Sequence, residues 1–367
     1  MKIIIISKSY YPNQSARAMR ATELAQQLAR MGHNVIVYTV IGLSNYKEYT
    51  EQTGVKVELI STKWMSSTTP QSSMKSFLIK GLSVLFGRFM EFPNIEFVFK
   101  VPEILEQEKD VDLLITVALP YPIHWGAAFA KKKMKEQFPK TWVSDCGDPY
   151  MGNDVFTPYF YFQYLEKFWG KMTDYVTIPI KEAAKAYYEN VQEKIRVIPQ
   201  GFDFTKTKID ENFTGNDIPT FAYTGTIFQG YRDLTTFLDY LCTIDTDFRF
   251  YVYTRTKDTV LPYKEKLKNK LIISDYIPRQ ELIYKLSRTD FLINLTNQSV
   301  VQSPSKLIDY GLSGRPILDI STPFVEKESF EAFMKKDYSG KHLEFDIQQY
   351  NIEVIAKQFL ALAQNDK

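Results

Sequence analysis

Short, continuous runs of β-branched and aliphatic residues recur along the chain, each bounded by polar turns: Ile3–Ser7, Val35–Thr39, Val57–Ile60, Leu113–Val117 and Thr141–Ser144. Runs that are apolar on both faces are what central strands of a parallel sheet require, because helices cover both sides. Between them the period changes to that of a helix. Ala18–Met31 places Leu24, Ala25, Leu28 and Ala29 at helical spacing and is followed by Gly32, a natural C-cap. Tyr159–Thr173 reads as a helix, Asp174–Ile178 as a strand, Lys181–Asn190 as a helix and Ile195–Ile198 as the last strand of this half. Periodicity then stops around Gln200–Phe213, and the chain stays polar to Ile218. A second alternation follows. Strands are predicted at Thr220–Tyr223, Arg249–Thr254, Leu271–Ile273, Phe291–Leu295 and Pro316–Asp319, with helices at Leu234–Thr243, Arg279–Ser287 and Pro304–Ser313. The pattern implies an α/β protein with two tandem Rossmann-like, doubly wound domains. Their expected bounds are 1–200 and 201–345, with 346–367 forming a helix that packs back on the N-terminal domain.

One stretch stands outside the alternation. Ser73–Phe99 concentrates Phe77, Leu78, Ile79, Leu82, Leu85, Phe86, Phe89, Met90 and Phe92 around Lys75, Lys80 and Arg88. Cations flanking an apolar helix suit a peripheral membrane contact through 73–92, and Lys131–Lys133 with Lys135 add a second basic cluster. A core helix with solvated lysines is the other reading.

A length of 367 residues is more than one core usually supports. A net charge of +2 is too small to argue for nucleic-acid binding, so no nucleic-acid partner is expected. No apolar run reaches the roughly 18 residues a spanning helix needs, and Ile3–Ile6 is too short for a signal-peptide core. The expectation is a cytoplasmic protein, soluble or at the inner face of the cytoplasmic membrane. Cys146 and Cys242 lie far apart with no metal-ligand spacing, so both are expected to be reduced and buried.

The chemistry concentrates near residue 305. Ser303 is a candidate N-cap with Pro304 in the first turn and Ser305 behind it. A helix start presents unpaired N–H groups and partial positive charge, and so holds a diphosphate well. Lys306 opposes the dipole there, which a bound anion would explain, although a solvated lysine is also compatible. Asp245-Thr246-Asp247 imitates a metal-binding motif but precedes its strand, at the edge of the sheet away from ligands, so no metal is expected.

Several motifs, in order, resemble retaining glycosyltransferase family four, the group 1 glycosyl transferases of GT-B fold. They are Ser9-Tyr10-Tyr11-Pro12 with Glu23-Leu24-Ala25, Ile198-Pro199-Gln200-Gly201-Phe202-Asp203, Tyr223-Thr224-Gly225-Thr226 and Pro304–Ile317, spread over roughly residues 1–320. The resemblance implies two domains with an interdomain cleft and transfer from a nucleotide diphosphate sugar to a saccharide or lipid-linked acceptor, in bacterial surface polysaccharide or glycolipid assembly. Retention, metal independence and the lack of a cofactor come with it.

It also implies residue roles. Arg232 and Lys306 would act on the leaving diphosphate and Asp148 on the acceptor. Donor contacts would come from Gly225, Thr226, Arg255, Tyr276, Ile277, Ser303, Pro304, Ser305 and Asp309, with Asp309 clamping the ribose where the family has a Glu. Acceptor contacts would come from Tyr10, Arg17, Arg20, Tyr121 and His124, although a lone histidine is more often structural. Two features depart from the family. Val301 stands where the partner Glu belongs, and Ser15-Ala16-Arg17-Ala18 replaces a glycine loop. A nucleotide-sugar epimerase of similar fold and a non-catalytic sugar-nucleotide binder therefore stay open.

Overall fold

Seven parallel strands build the first sheet: β1 (Lys2–Ser9), β2 (Asn34–Ile41), β3 (Lys56–Leu59), β4 (Leu113–Ala118), β5 (Thr141–Cys146), β6 (Tyr175–Ile178) and β7 (Ile195–Val197), in the order β3-β2-β1-β4-β5-β6-β7. Five more build the second: β8 (Thr220–Thr224), β9 (Arg249–Tyr253), β10 (Leu271–Ser274), β11 (Phe291–Leu295) and β12 (Ile317–Ile320), ordered β10-β9-β8-β11-β12. Every recorded pairing in both sheets is parallel. This computed structural model describes residues 1–65, 86–153, 156–227, 230, 233–295, 305–339 and 346–364. The expected helix at 73–92 therefore lies outside the described residues except for 86–92, of which 86–90 are helical. The chain divides into two units, Met1–Phe202 with Tyr350–Lys367, and Asp203–Gln349.

In the first unit the period of two decides which residue enters which layer. Ile4 and Ile6 join Phe97, Trp125, Trp142 and Trp169 on one face of β1, while Ile3 and Ile5 join Leu24, Leu28, Ile355 and Phe359 on the other. Removing one such side chain from water contributes about 1.5–3 kcal/mol. The second face is completed from far along the sequence. Helix Ile352–Gln364 buries Ile352, Ile355, Ala356 and Phe359 against helix Ala16–Arg30 and β1. Its entry is held by Phe202, whose N–H donates to the Tyr350 carbonyl (2.8 Å) and whose carbonyl accepts from Ile352 (3.0 Å). A Cβ on Gly201 would lie 2.5 Å from Ile352 Cδ1, which is why glycine fits there.

In the second unit, phenylalanines supply much of the core. Phe221 on β8 sits in register with Phe250 on β9 and Phe291 on β11, and stacks on them at 4.8 and 4.9 Å. Phe330 meets the edge of the Phe221 ring at 5.4 Å, a pairing that adds to simple burial.

Two expectations fail. Lys181–Asn190 is not one helix but a 3-10 segment, Lys181–Ala186, and a single turn, Glu189–Gln192. Between them Tyr187 adopts an extended backbone and is buried, its hydroxyl 3.4 Å from that of Tyr121, so tertiary packing overrides the helical pattern. Cys146 is buried as expected, but Cys242, at the end of helix Thr235–Leu241, is exposed.

Helix Phe162–Met172 buries one carboxylate, Glu166. Oε2 accepts from the Met151 N–H at 2.9 Å, and Oε1 has no hydrogen-bond partner among the described residues. Burial pushes its pKa up to about 7, against a smaller opposing effect of the Met151 N–H. Because the folded value lies above the unfolded one, the cost of ionising Glu166 is absent below about pH 4.5 and grows until about pH 7. Stability should fall across that window by on the order of 3 kcal/mol. Glu166→Gln keeps an acceptor for Met151 and should flatten this slope in urea titrations between pH 4 and about 8; an unchanged slope would assign it to other groups.

Candidate functional site

The strand order of the second sheet reverses between β8 and β11, and ligands of open α/β sheets bind beyond the carboxyl ends of strands at such a point. Strand β8 pairs with β11 through Phe221 and Ala222 opposite Phe291 and Leu292. At the next level the hydroxyl of Tyr310 stands between them, accepting from the Thr224 N–H (2.9 Å) and donating to the Ile293 carbonyl (3.1 Å). Burial pushes this phenol up to about 12, so it stays protonated. Tyr310 belongs to helix Ser305–Ser313, so this bridge fixes the helix against the mouth of the sheet. Tyr310→Phe leaves a buried N–H and a buried carbonyl without this partner and should cost about 1–3 kcal/mol in chemical denaturation. A loss near zero would mean the bridge is not formed in solution.

Lys306, in the first turn of this helix, reaches back to the end of β8. Its Nζ lies 4.9 Å from the centroid of Tyr223, and its Cδ would be 4.0 Å from a Cβ on Gly225. Gly225 has φ of +121°, which an L side chain tolerates poorly, and its N–H donates to the Tyr253 carbonyl at 3.0 Å. Thr226 follows, its carbonyl accepting from the Tyr223 hydroxyl at 3.2 Å. Behind Lys306, the Asn294 amide donates to Asp319 across β11 and β12 at 2.5 Å. Burial raises the Asp319 pKa, while the amide and the charge of Lys306 oppose the rise.

One turn along the same helix, Asp309 accepts from Arg279 Nε at 2.6 Å. Burial raises the pKa of Asp309, and the guanidinium opposes that rise. Arg279 was not among the sequence candidates. It opens helix Arg279–Leu286 directly after Pro278, a cation at a helix start like Lys306, and that shared oddity is the signal that would have found it. Beyond β9 and β10, the Arg255 guanidinium lies 4.6 Å from the centroid of Tyr276, whose side chain is 61% exposed. Ile277, next to Tyr276, packs against the cluster that includes Tyr253, Leu282 and Leu307. Arg232, Ser303 and Pro304 lie outside the described residues, as does the Ser305 side chain, although Ser305 opens the helix. Asp245–Asp247 precedes β9, and among the described residues no His, Cys, Asp and Glu cluster is arranged to hold a metal ion.

In the first unit the order reverses between β1 and β4. Ser15 caps helix Ala16–Arg30 by accepting from the Ala18 N–H at 3.4 Å. Arg17, in the first turn, donates to Asp148 at 2.6 Å, and its guanidinium occupies the place a Cβ on Gly147 would take. Asp148 itself is exposed.

The other acceptor candidates are placed differently. Arg20 is buried and donates to both carboxylate oxygens of Asp145 at 2.6 and 2.7 Å, to the Pro199 carbonyl at 2.7 Å and to the Ile198 carbonyl at 3.0 Å. These donors are committed to the protein, so Arg20 ties strand ends together. Tyr10 and Tyr121 are fully buried, bonded to the Tyr49 hydroxyl (2.9 Å) and the Asp148 carbonyl (2.8 Å) respectively. His124 is buried as well, with Nδ1 2.7 Å from the Thr116 hydroxyl, Nε2 3.4 Å from Cys146 Sγ and its ring stacked on Trp169. Burial pulls its pKa down to about 3, so it is neutral near pH 7. These four side chains are buried, whereas Arg17 is half-buried and Asp148 is exposed.

No protein-family profile and no curated protein matches the sequence. Solved structures do match. A glycosyltransferase from Rickettsia africae superposes with a TM-score of 0.61 at 13% identity, covering 99% of this chain and 98% of that one. The lipopolysaccharide outer core galactosyltransferase WaaB gives 0.59 at 12%, with both chains fully covered. A UDP-GlcNAc 2-epimerase from Neisseria meningitidis, bound to UDP-GlcNAc, gives 0.58 at 10%, again over both whole chains. Likeness at such identity is likeness of fold, and two Rossmann-like parallel sheets in tandem make this the two-domain GT-B fold.

Proposed function

We propose that this chain is a glycosyltransferase that moves a sugar from a nucleotide diphosphate sugar to an acceptor hydroxyl, in assembly of a bacterial surface polysaccharide or glycolipid. The observation that carries the reading is the placement of Lys306 and Asp309, three residues apart on one helix, with Lys306 reaching to the Gly225 corner at the switch point of the second sheet. Helix N–H groups and Lys306 offset charge on the departing diphosphate, and Arg232 or Arg255 supplies a second cation. Asp309, oriented by Arg279, accepts from ribose hydroxyls, and Tyr276 and Ile277 flank the base. The bond from the anomeric carbon to the phosphate oxygen breaks, the acceptor oxygen bonds to that carbon, and the acceptor proton leaves with the diphosphate. Retention and metal independence follow from the resemblance to family four. Acceptor recognition belongs to the first unit, with Asp148 held by Arg17. The boundaries near 200 and 345 and the return of the C-terminal helix belong to the same reading.

The epimerase likeness favours a second reading, in which the same donor is bound and no acceptor is used. Thermal shifts with UDP- and GDP-sugars identify the donor, since a ligand at about 100 times its dissociation constant stabilises by roughly 2.7 kcal/mol. Incubation with the stabilising donor then separates the readings. Transfer or slow hydrolysis of the sugar supports the transferase, epimerised donor supports the second reading, and binding without turnover leaves a sugar-nucleotide binder.

A further inference from the structure

Strands β11 and β12 are apolar except at one position each. Phe291, Leu292, Ile293 and Leu295 surround Asn294, and Ile317, Leu318 and Ile320 surround Asp319. The two polar residues stand opposite each other in the register. By the period of two they share the face of Leu292 and Ile317, which pack with Leu307 and Tyr310 of helix Ser305–Ser313. Asn294 and Asp319 lie two residues further toward the carboxyl ends of their strands, where the charge of Lys306 reaches Asp319.

A polar pair set among apolar neighbours costs free energy unless its groups are satisfied. This pair is not closed on itself. The Asn294 amide donates to Asp319 at 2.5 Å, but Asn294 is buried and its Oδ1 has no hydrogen-bond partner among the described residues. Two charges act on half-buried Asp319: Lys306, from the helix above the sheet, favours the ionised carboxylate, and Glu326, at the N-cap of helix Lys327–Met334, opposes it. Glu326 is held by the Ser321 hydroxyl and by the Ser321 and Val325 N–H groups, so the cation that balances Asp319 is Lys306. Lys306 itself stands over the Tyr223 ring at the start of a helix whose dipole repels it, while Asp309, one turn along, is held by Arg279 at 2.6 Å.

We propose that Asp319, oriented by Asn294, is the resident counter-anion of Lys306 and competes with the donor's diphosphate for it, so that Asp319 limits how tightly the site keeps its nucleotide. The inference rests on the donor reading above and adds a positioning residue to it. Two anions that share one cation repel each other, and most strongly where water is excluded. An arriving diphosphate takes over the ammonium, and Asp319, deprived of the charge that favours its ionised form, binds a proton more readily.

The test is calorimetric titration of the full chain with UDP. Asp319→Asn should tighten UDP about tenfold near pH 7.5, because the competitor has lost its charge. A packing defect alone would weaken binding, so the sign of the change separates the two. Asp319→Ser, which also removes the charge and keeps an acceptor for Asn294, should act in the same direction, so either variant decides. In a Lys306→Ala background the gain should shrink to about threefold or less, since no ammonium is left to contest. Acid should do in the unaltered chain what the substitution does. The affinity ratio of Asp319→Asn to the unaltered chain should therefore fall between about pH 7.5 and about pH 5, with the titration of UDP itself cancelling in the ratio. No UDP binding by the unaltered chain would overturn the donor reading and this inference with it. UDP binding that Lys306→Ala weakens but neither Asp319 variant tightens, or an equal gain in both backgrounds, would overturn the inference alone.

Discussion

Replacing Arg20 by alanine should destabilise the first unit by about 3–5 kcal/mol, enough to unfold much of the protein near 37 °C. Asp145 is buried at the end of β5, where burial alone would push its carboxyl up, yet the Arg20 guanidinium and the Thr177 hydroxyl hold it below the usual carboxylate range. Without Arg20 a buried charge loses both guanidinium donors and keeps, among the described residues, only the Thr177 hydroxyl at 2.7 Å as a side-chain donor, and the Ile198 and Pro199 carbonyls lose theirs. The same pair predicts a pH signature. A folded pKa below the unfolded one gives stability that is present above the unfolded value, near 4, and lost as pH falls through the folded one. Arg20→Ala with Asp145→Asn should recover part of the loss, because the buried charge is gone. Urea titrations of both variants check this, and a cost below about 1 kcal/mol for Arg20→Ala would return the arginine to a ligand-binding role.

Lys306→Ala carries the second large effect. A cation aimed at charge that develops on a leaving group contributes most in the transition state, and removing one such donor typically lowers kcat about 10²–10³-fold. The free protein should change little in stability, since relief of the opposed helix dipole offsets the lost contact with Tyr223 and the lost charge near Asp319. Turnover of the stabilising donor in the variant, alongside its melting temperature, measures both; full turnover would exclude Lys306 from the chemistry.

Much of the fold was legible because β1 and β4 are apolar on both faces, and a strand with that pattern fits best inside a parallel sheet. The two sheets follow from this repeated signal. Long-range placements were not legible. Arg17 and Arg20 lie on the same helix, and nothing local distinguishes the half-buried one that meets Asp148 from the buried one that finds Asp145, 125 residues away. Tyr10 follows β1, and Tyr121 and His124 lie at the start of helix Pro122–Met134, places where a ligand-facing and a core-facing ring have the same sequence, and only packing against Tyr49 or Trp169 decides between them. Lys306 and Asp309 share a helix face through spacing alone, whereas Arg279, which orients Asp309, arrives from the preceding helix, 30 residues earlier.

The central claim is that Lys306 serves the diphosphate and Asp309 the ribose of one donor. Calorimetric titration of Lys306→Ala and Asp309→Asn, each with UDP and with inorganic pyrophosphate, tests it most directly. Lys306→Ala should weaken both ligands by about 1.5–3 kcal/mol, the worth of a charge-assisted contact. Asp309→Asn should weaken UDP and spare pyrophosphate, which has no ribose. Affinities unchanged in both variants would contradict the account and place the donor site elsewhere.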